Sequence, residues 1–200
     1  REPPGAGLSV IAVPTTAGTG AETNGFGVIE DAAARCKIYV GHSSVRPRAA
    51  VLDPELTLGL PRAATAATGF DALVHGIESL ASRGATPLSA AYATQAVAMV
   101  SRWLPVAVRD GTDVEARAQL LLGAHLAGRA LTLSGLGLVH GIAHALTNHF
   151  HTVHGVALAA VMPEVMAYCA QDAGPAYAAA AVAMGCGDPI EAVTDLAASR

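Results

Sequence analysis

Residues 135–155 read GLGLVHGIAHALTNHFHTVHG and hold five of the chain's eight histidines. Imidazole is the commonest metal-binding side chain and the only one whose unperturbed pKa lies near neutrality. The stretch therefore reads as half of a metal site. His140 and His144 stand four residues apart, so a helix places them on one face. His154 sits just before Gly155, where the chain turns toward another helical segment. Spacing alone leaves open which of the five bind; His149 and His151 read as solvated side chains of a loop. His42 and His125 stand apart and read as structural.

The other half lies in ATGFDALVHGIES, residues 67–79, where Asp71 and His75 repeat the four-residue spacing on an apolar helix. A buried carboxylate is costly unless paired or metal-bound, so either a hydrogen-bonded Asp–His pair or a ligand pair explains it. One carboxylate with two or three imidazoles suits divalent iron, zinc, cobalt or nickel better than calcium or magnesium. A second chemical stretch is PTTAGTGAE, residues 14–22. Its small residues allow close approach of a ligand, and its N–H groups and threonine hydroxyls could cradle a pyrophosphate. It is neither a Walker A loop nor a GxGxxG turn, and an ordinary strand-ending turn accounts for it equally well.

The elements that must carry these groups change character along the chain. Residues 8–13 (LSVIAV), 26–30, 37–41 and 49–52 read as short strands, the middle two joined by the acidic, alanine-rich link 30–35. Beyond Pro61, alanine and leucine dominate, and helices are expected over 63–82, 88–103, 114–130, 138–148, 156–170 with an interruption at Pro163, and 176–184. Pro87, Pro105, Gly111 and Gly174 supply breaks, and Thr112 or Asp113 can cap the third helix, with Glu115 placed for a capping box on Thr112. The division is residues 1–57, the tail of an α/β domain, and residues 58–200, an all-α domain.

Composition narrows the partner. Apolar residues make up 52% and charged ones 14%, ample for a buried core, and a net charge of −4 without basic clustering excludes an electrostatic footprint for nucleic acid or anionic membrane. A small molecule is the expected partner. Cys36, Cys169 and Cys186 are odd in number and lack CxxC spacing, which reads as buried thiols in a reducing compartment. With no signal peptide and no bilayer-length apolar run, a cytoplasmic protein is expected. The chain opens at Arg1 without Met and ends at Arg200 within a helical pattern, so a fragment is expected.

Four blocks in order, PTTAGTGAE, DPELTLGLP from Asp53, ATGFDALVHGIES, and AGRALTLSGLGLVHGIAHAL leading to VHG at His154, resemble the iron-containing (group III) alcohol dehydrogenases of the dehydroquinate synthase-like fold. The resemblance implies that residues 1–57 are the C-terminal part of a Rossmann-like dinucleotide-binding domain and residues 58–200 a truncated helical metal-binding and catalytic domain. It implies Asp71, His75, His140 and His154 as ligands of Fe2+, with Zn2+ as the second choice, and His144 as a nearby proton carrier. It implies that Thr15, Thr16, Gly18 and Thr19 face the pyrophosphate and nicotinamide of NAD or NADP, with Lys37 near the nicotinamide ribose. Asn24 stands where relatives often carry Thr or Ser, and Leu131, Ala145 and Val153 depart from a common Phe, Pro and Pro, changes expected to reshape the pocket. The implied reaction is hydride transfer between a nicotinamide and a small alcohol or aldehyde, in a homodimer or larger homo-oligomer. Alternatives are a hydroxyacid–oxoacid transhydrogenase or polyol dehydrogenase with the same site. From a different class comes a metal-dependent hydrolase with Glu78 as general base.

Overall fold

β-branched residues suit a pleated surface and alanine-rich runs suit a helix, and the chain changes from one to the other across Asp53–Pro54. The computed structural model describes residues 8–198 except 32 and 35. The chain ends, on which the expectation of a fragment rested, and part of the 30–35 link lie outside the described residues. Strand β1, Ile11–Ala12, pairs in parallel with β4, Ala49–Ala50. Of the expected strand 8–13 only these two residues have a ladder partner, although Val10 and Ala12 carbonyls also accept Arg48 and Val51 N–H groups. Strands β2, Phe26–Asp31, and β3, Cys36–Gly41, form the expected antiparallel hairpin. Its register pairs Val28 with Tyr39 and Glu30 with Lys37. With a period of two, Phe26, Val28, Lys37 and Tyr39 therefore share one face.

Six α-helices follow: α1 Arg62–Ala81, α2 Pro87–Arg109, α3 Val114–Ser134, α4 Leu138–Phe150, α5 His154–Met184 and α6 Pro189–Ala198. Helix α1 is buried on every side from Gly69 to Ser79 and forms the centre of the core, with Leu73, Val74 and Ile77 packed among α2, α3 and α5. Where α5 crosses α1 the approach is so close that a Cβ on Gly155 would stand 2.1 Å from the Ala67 carbonyl oxygen. Among the described residues, no single helix is long and apolar enough to cross a membrane.

Three expected breaks are absent. Helix α2 runs through Pro105, and α5 runs through Pro163, Gly174 and Pro175, merging two expected helices. A proline inside a helix costs about 3 kcal/mol. Past Pro105, however, α2 buries Ala107 and Val108, and past Pro163 α5 buries Val165 and Met166. Large apolar side chains gain roughly 1.5–3 kcal/mol each on burial, so packing outweighs local propensity. Pro87 instead begins α2, inside a capping box in which Thr86 accepts from the Ser89 N–H and Ser89 Oγ accepts from the Thr86 N–H. The Thr112 box does not form. Asp113 Oδ1 caps α3 at the Ala116 N–H, 2.9 Å, while the Thr112 hydroxyl donates to Asp110 and Glu115 accepts from Gln119.

The junction between strands and helices is held by a buried cation. Arg117 on α3 donates through Nη1 to Thr65 Oγ1 at 2.7 Å, through Nη2 to the Leu60 carbonyl at 3.1 Å, and through Nε to the Gly111 carbonyl at 3.0 Å. Its residue is only 3% exposed, and burial lowers its pKa from the ordinary value. A planar fork reaching three separate oxygens is a task that lysine cannot reproduce. Hydrogen bonds from a charged donor contribute about 1.5–3 kcal/mol each, with strong non-additivity. Arg117→Ala is expected to lower stability by about 3 kcal/mol in denaturant unfolding, and Arg117→Lys to recover less than half of it; an alanine variant as stable as the parent would show the clamp to be dispensable.

Candidate metal centre

Helix α1 sets the floor of the site. Asp71, His75 and Glu78, at i, i+4 and i+7, face the same side of it, and all three are buried. The first turn of α4 contributes His140, also buried, and the first residue of α5 contributes His154, part of which remains accessible. Three imidazole nitrogens converge on one carboxylate oxygen: Nε2 of His75 and of His140 each lie 3.3 Å from Asp71 Oδ1, and Nε2 of His154 lies 3.8 Å from it. The His75 and His140 rings are stacked, 4.7 Å between centroids.

The donor set fits a divalent ion. Ligand atoms about 2.1 Å from one ion at tetrahedral angles stand roughly 3.4 Å apart, which matches the separations about Asp71. One donor atom from each of Asp71, His140 and His154 lies within 4.8 Å of the others; His75 meets Asp71 at 3.3 Å but does not belong to that mutually close set. Proton placement points the same way. His140 Nδ1 faces Glu78 Oε2 at 2.5 Å, so its proton belongs there, and Nε2 then turns a lone pair toward Asp71. Two facing acceptors repel unless a cation lies between them: a second proton or a metal ion.

Titration follows from the same crowding. Burial opposes charge on Asp71, but the surrounding imidazoles, His75 foremost, more than offset it and hold the carboxyl at about 2. Burial likewise opposes charge on His140, while its bonds to Asp71 and Glu78 raise it to about 9. Burial lowers His75, and lowers His144 and His154 to about 4, with the Lys37 ammonium adding to the effect on the last two. Both therefore keep free nitrogen lone pairs at neutral pH. Among the described residues, His75 Nδ1 and His154 Nδ1 are buried without a hydrogen-bond partner, although the Gly18 backbone lies near enough to His75 to favour its charged form.

A cleft of about 320 Å³ opens over this cluster. Asp71, His75, His140, His144 and His154 form its helical wall, and Phe26, Val28, Lys37 and Tyr39 form the opposite one from the shared face of the hairpin. Thr19 and Asn24 line it too; Asn24 Oδ1 already accepts the Phe26 N–H at 3.1 Å. Thr15, Thr16 and Gly18 are not among the lining residues. Gly18 is packed against α1, where a Cβ would stand 2.7 Å from Thr68 Cβ, and Gly20, at φ 60°, rests on Gly128 of α3. The loop's glycines thus serve helix contact as well as any ligand.

Of the four departures noted in the sequence, Asn24 and Leu131 line the cleft. Ala145 and Val153 are exposed and outside it, so they do not shape it. His149 lies in the last turn of α4, not in a loop, and His151 caps that helix at φ 53°; both are exposed. His125 holds Glu22 at 3.0 Å and His42 caps a short 3-10 turn at Ser44, as structural histidines do. Cys36 is exposed and Cys169 and Cys186 are half-buried, so none is the fully buried thiol expected. Tyr39, whose ring lies 6.1 Å from that of His144, was not anticipated. Its alternation with Lys37 on β3 carried the signal. Glu78 is not a free base, since both its oxygens are engaged, Oε1 by the Val139 N–H at 2.7 Å and Oε2 by His140.

Fold and cleft define a helical protein whose buried polar donor cluster faces a space of small-molecule size. Residues 1–54 match the model for iron-containing alcohol dehydrogenase, and residues 65–199 that for the C-terminal part of the Fe-containing alcohol dehydrogenase family. The chain belongs to the iron-containing alcohol dehydrogenase family. It is 42% identical over 161 residues to an NAD-dependent methanol dehydrogenase from Bacillus methanolicus, covering 80% of this chain and 42% of that protein. It is 45% identical over 161 residues to a probable alcohol dehydrogenase of Escherichia coli, covering 80% of this chain and 41% of that one. A sulfoacetaldehyde reductase from Bifidobacterium kashiwanohense, solved with NAD+, superposes with a TM-score of 0.88 at 31% identity, over 96% of this chain and 52% of its own. The chain thus spans about two fifths of the curated relatives' length.

Metal analysis of the purified protein beside Asp71→Asn and His140→Ala checks the donor set. The parent is expected to retain a divalent ion through dialysis and both variants to lose it; equal metal content in all three would remove the centre.

Proposed function

We propose that the intact protein is a metal-dependent NAD(P) oxidoreductase that moves hydride between a nicotinamide and a small alcohol or aldehyde. The observation that carries this reading is the convergence of three imidazole Nε2 atoms on Asp71 Oδ1 in the same cleft that Lys37, Thr19 and Asn24 line. Asp71, His75, His140 and His154 would hold the ion, Fe2+ first and Zn2+ second. When bound, it supplies Lewis acidity at the substrate oxygen, and the nicotinamide supplies or takes the hydride.

The remaining work falls to the chain's own side chains. Lys37, a cation on the hairpin, suits the ribose and pyrophosphate side of the nucleotide, with Thr19 and Asn24 beside it and the 14–22 loop beneath. His144 is neutral at neutral pH, and a ring nitrogen of it takes up the proton released when an alcohol is oxidised. Phe26, Tyr39 and Leu131 give the cleft an apolar margin beside the polar cluster. Residues 1–57 are read as the tail of the nucleotide-binding domain and residues 58–200 as the metal-binding one. Three thiols outside any disulfide suit a cytoplasmic enzyme, and a homo-oligomer belongs to the same reading. The hydrolytic alternative loses its general base, since Glu78 is fully engaged.

Nicotinamide absorbance followed with the full-length protein and a panel of small alcohols tests this. Activity is expected to vanish on exhaustive chelation and to return with Fe2+ or Zn2+, and His144→Ala is expected to lower kcat by about 100-fold or more while metal content holds. Undiminished turnover after chelation would sink the reading.

A further inference from the structure

Glu78 is a charged side chain sealed beneath the site, and hydride transfer assigns it nothing. It does not line the cleft; it borders a separate cavity together with Gly137 and Val139. Its two oxygens do different jobs. Oε1 accepts the Val139 N–H in the first turn of α4, a helix whose N-cap residue, Gly137, offers no side chain. It thus caps α4 from α1, and the helix N-terminus favours the negative charge. Oε2 faces His140 Nδ1 at 2.5 Å. A carboxylate can only accept, so Nδ1 carries a proton whatever stands at Nε2, and when an ion takes the place of the second proton, Nε2 is left with its lone pair turned to that ion and to Asp71.

We propose that Glu78 is the positioning residue of the metal centre: one carboxylate fixes both the helix turn that carries His140 and the tautomer that makes His140 a ligand. This rests on the reading of Asp71, His75, His140 and His154 as a metal site. The carboxylate has no freedom to do otherwise. A Cβ on Gly137 would stand 2.8 Å from Oε1, so a side chain there would have to push the carboxylate away from the turn. Outer partners of ligating histidines commonly control metal affinity by roughly 10- to 100-fold.

Glu78→Gln separates the two jobs. Its amide oxygen can still accept the Val139 N–H, but its NH2 group then faces His140 Nδ1 as a donor. The ring answers by accepting at Nδ1 and carrying its proton on Nε2, the nitrogen turned to Asp71. Chelator competition with Zn2+ on the full-length protein is expected to show affinity weakened roughly 10- to 100-fold in Glu78→Gln, with thermal unfolding of the metal-free forms nearly unchanged. Ring nitrogen NMR is expected to find the His140 proton on Nδ1 in the zinc-bound parent and on Nε2 in the metal-free variant. Gly137→Ala, which changes neither a ligand nor Glu78 but crowds its Oε1, is expected to weaken Zn2+ binding in the same direction, and keeps the test open if Glu78→Gln fails to fold. A parent that binds no Zn2+ would overturn the metal reading itself. A parent that binds, beside Glu78→Gln and Gly137→Ala variants that bind as tightly, would overturn the role given to Glu78 alone, as would equal affinity with lowered metal-free stability.

Discussion

One carboxylate constrains this molecule. Asp71 lies in the middle of the most deeply buried helix, where water cannot solvate its charge. Whatever compensates it has to be brought from elsewhere in the chain, and the compensation comes from three helices at once: His75 from α1 itself, His140 from α4 and His154 from α5. The close crossing of Gly155 over Ala67 and the capping of α4 by Glu78 are the means by which the two other helices reach that oxygen. Packing and site chemistry are therefore the same set of contacts.

Charge is distributed unevenly around that centre, and the unevenness follows from which partner each imidazole has. His140 sits between two carboxylates, which hold it cationic against its burial, while burial first, with neighbouring cations such as Lys37 adding to it, keeps His144 and His154 neutral. The helical wall thus offers lone pairs toward the cleft, and positive charge stands on the hairpin opposite. A cleft of this kind suits a divalent ion at its base and an anionic ligand at its mouth.

Much of this was legible in the sequence, because the four-residue spacings of Asp71 with His75 and of His140 with His144 specify a helical face without any knowledge of the fold. The hairpin was legible too, from alternation and composition. Which histidines after His140 join the cluster was not a matter of spacing; His154 was singled out by resemblance, and the fold brings it in by starting α5 against α1. Glu78 extended the Asp71 pattern by two turns and could have been read as part of it. Two prolines misled, since Pro105 and Pro163 are strong local signals overruled by burial on both sides of them. The glycines of the 14–22 loop misled differently: their small size answers to Thr68 and Gly128, which are neighbours only in three dimensions. Asp113 was chosen over Thr112 as a cap because the Thr112 hydroxyl is taken by Asp110.

The β2–β3 hairpin supplies Lys37 and Tyr39, yet it shows apolar side chains to solvent on both faces, with Val28 and Tyr39 exposed on one and Ile29, Ile38 and Val40 on the other. It buries little, so it contributes little to the heat-capacity change of unfolding, which belongs to the helices. Elements of that kind open by local fluctuation at a small fraction of the global free energy. Amide hydrogens of the hairpin would exchange long before those of α1. Among the described residues, the wall that carries Lys37 is thus held mainly by its own ladder, and the wall that carries Asp71 by the packing of the helices.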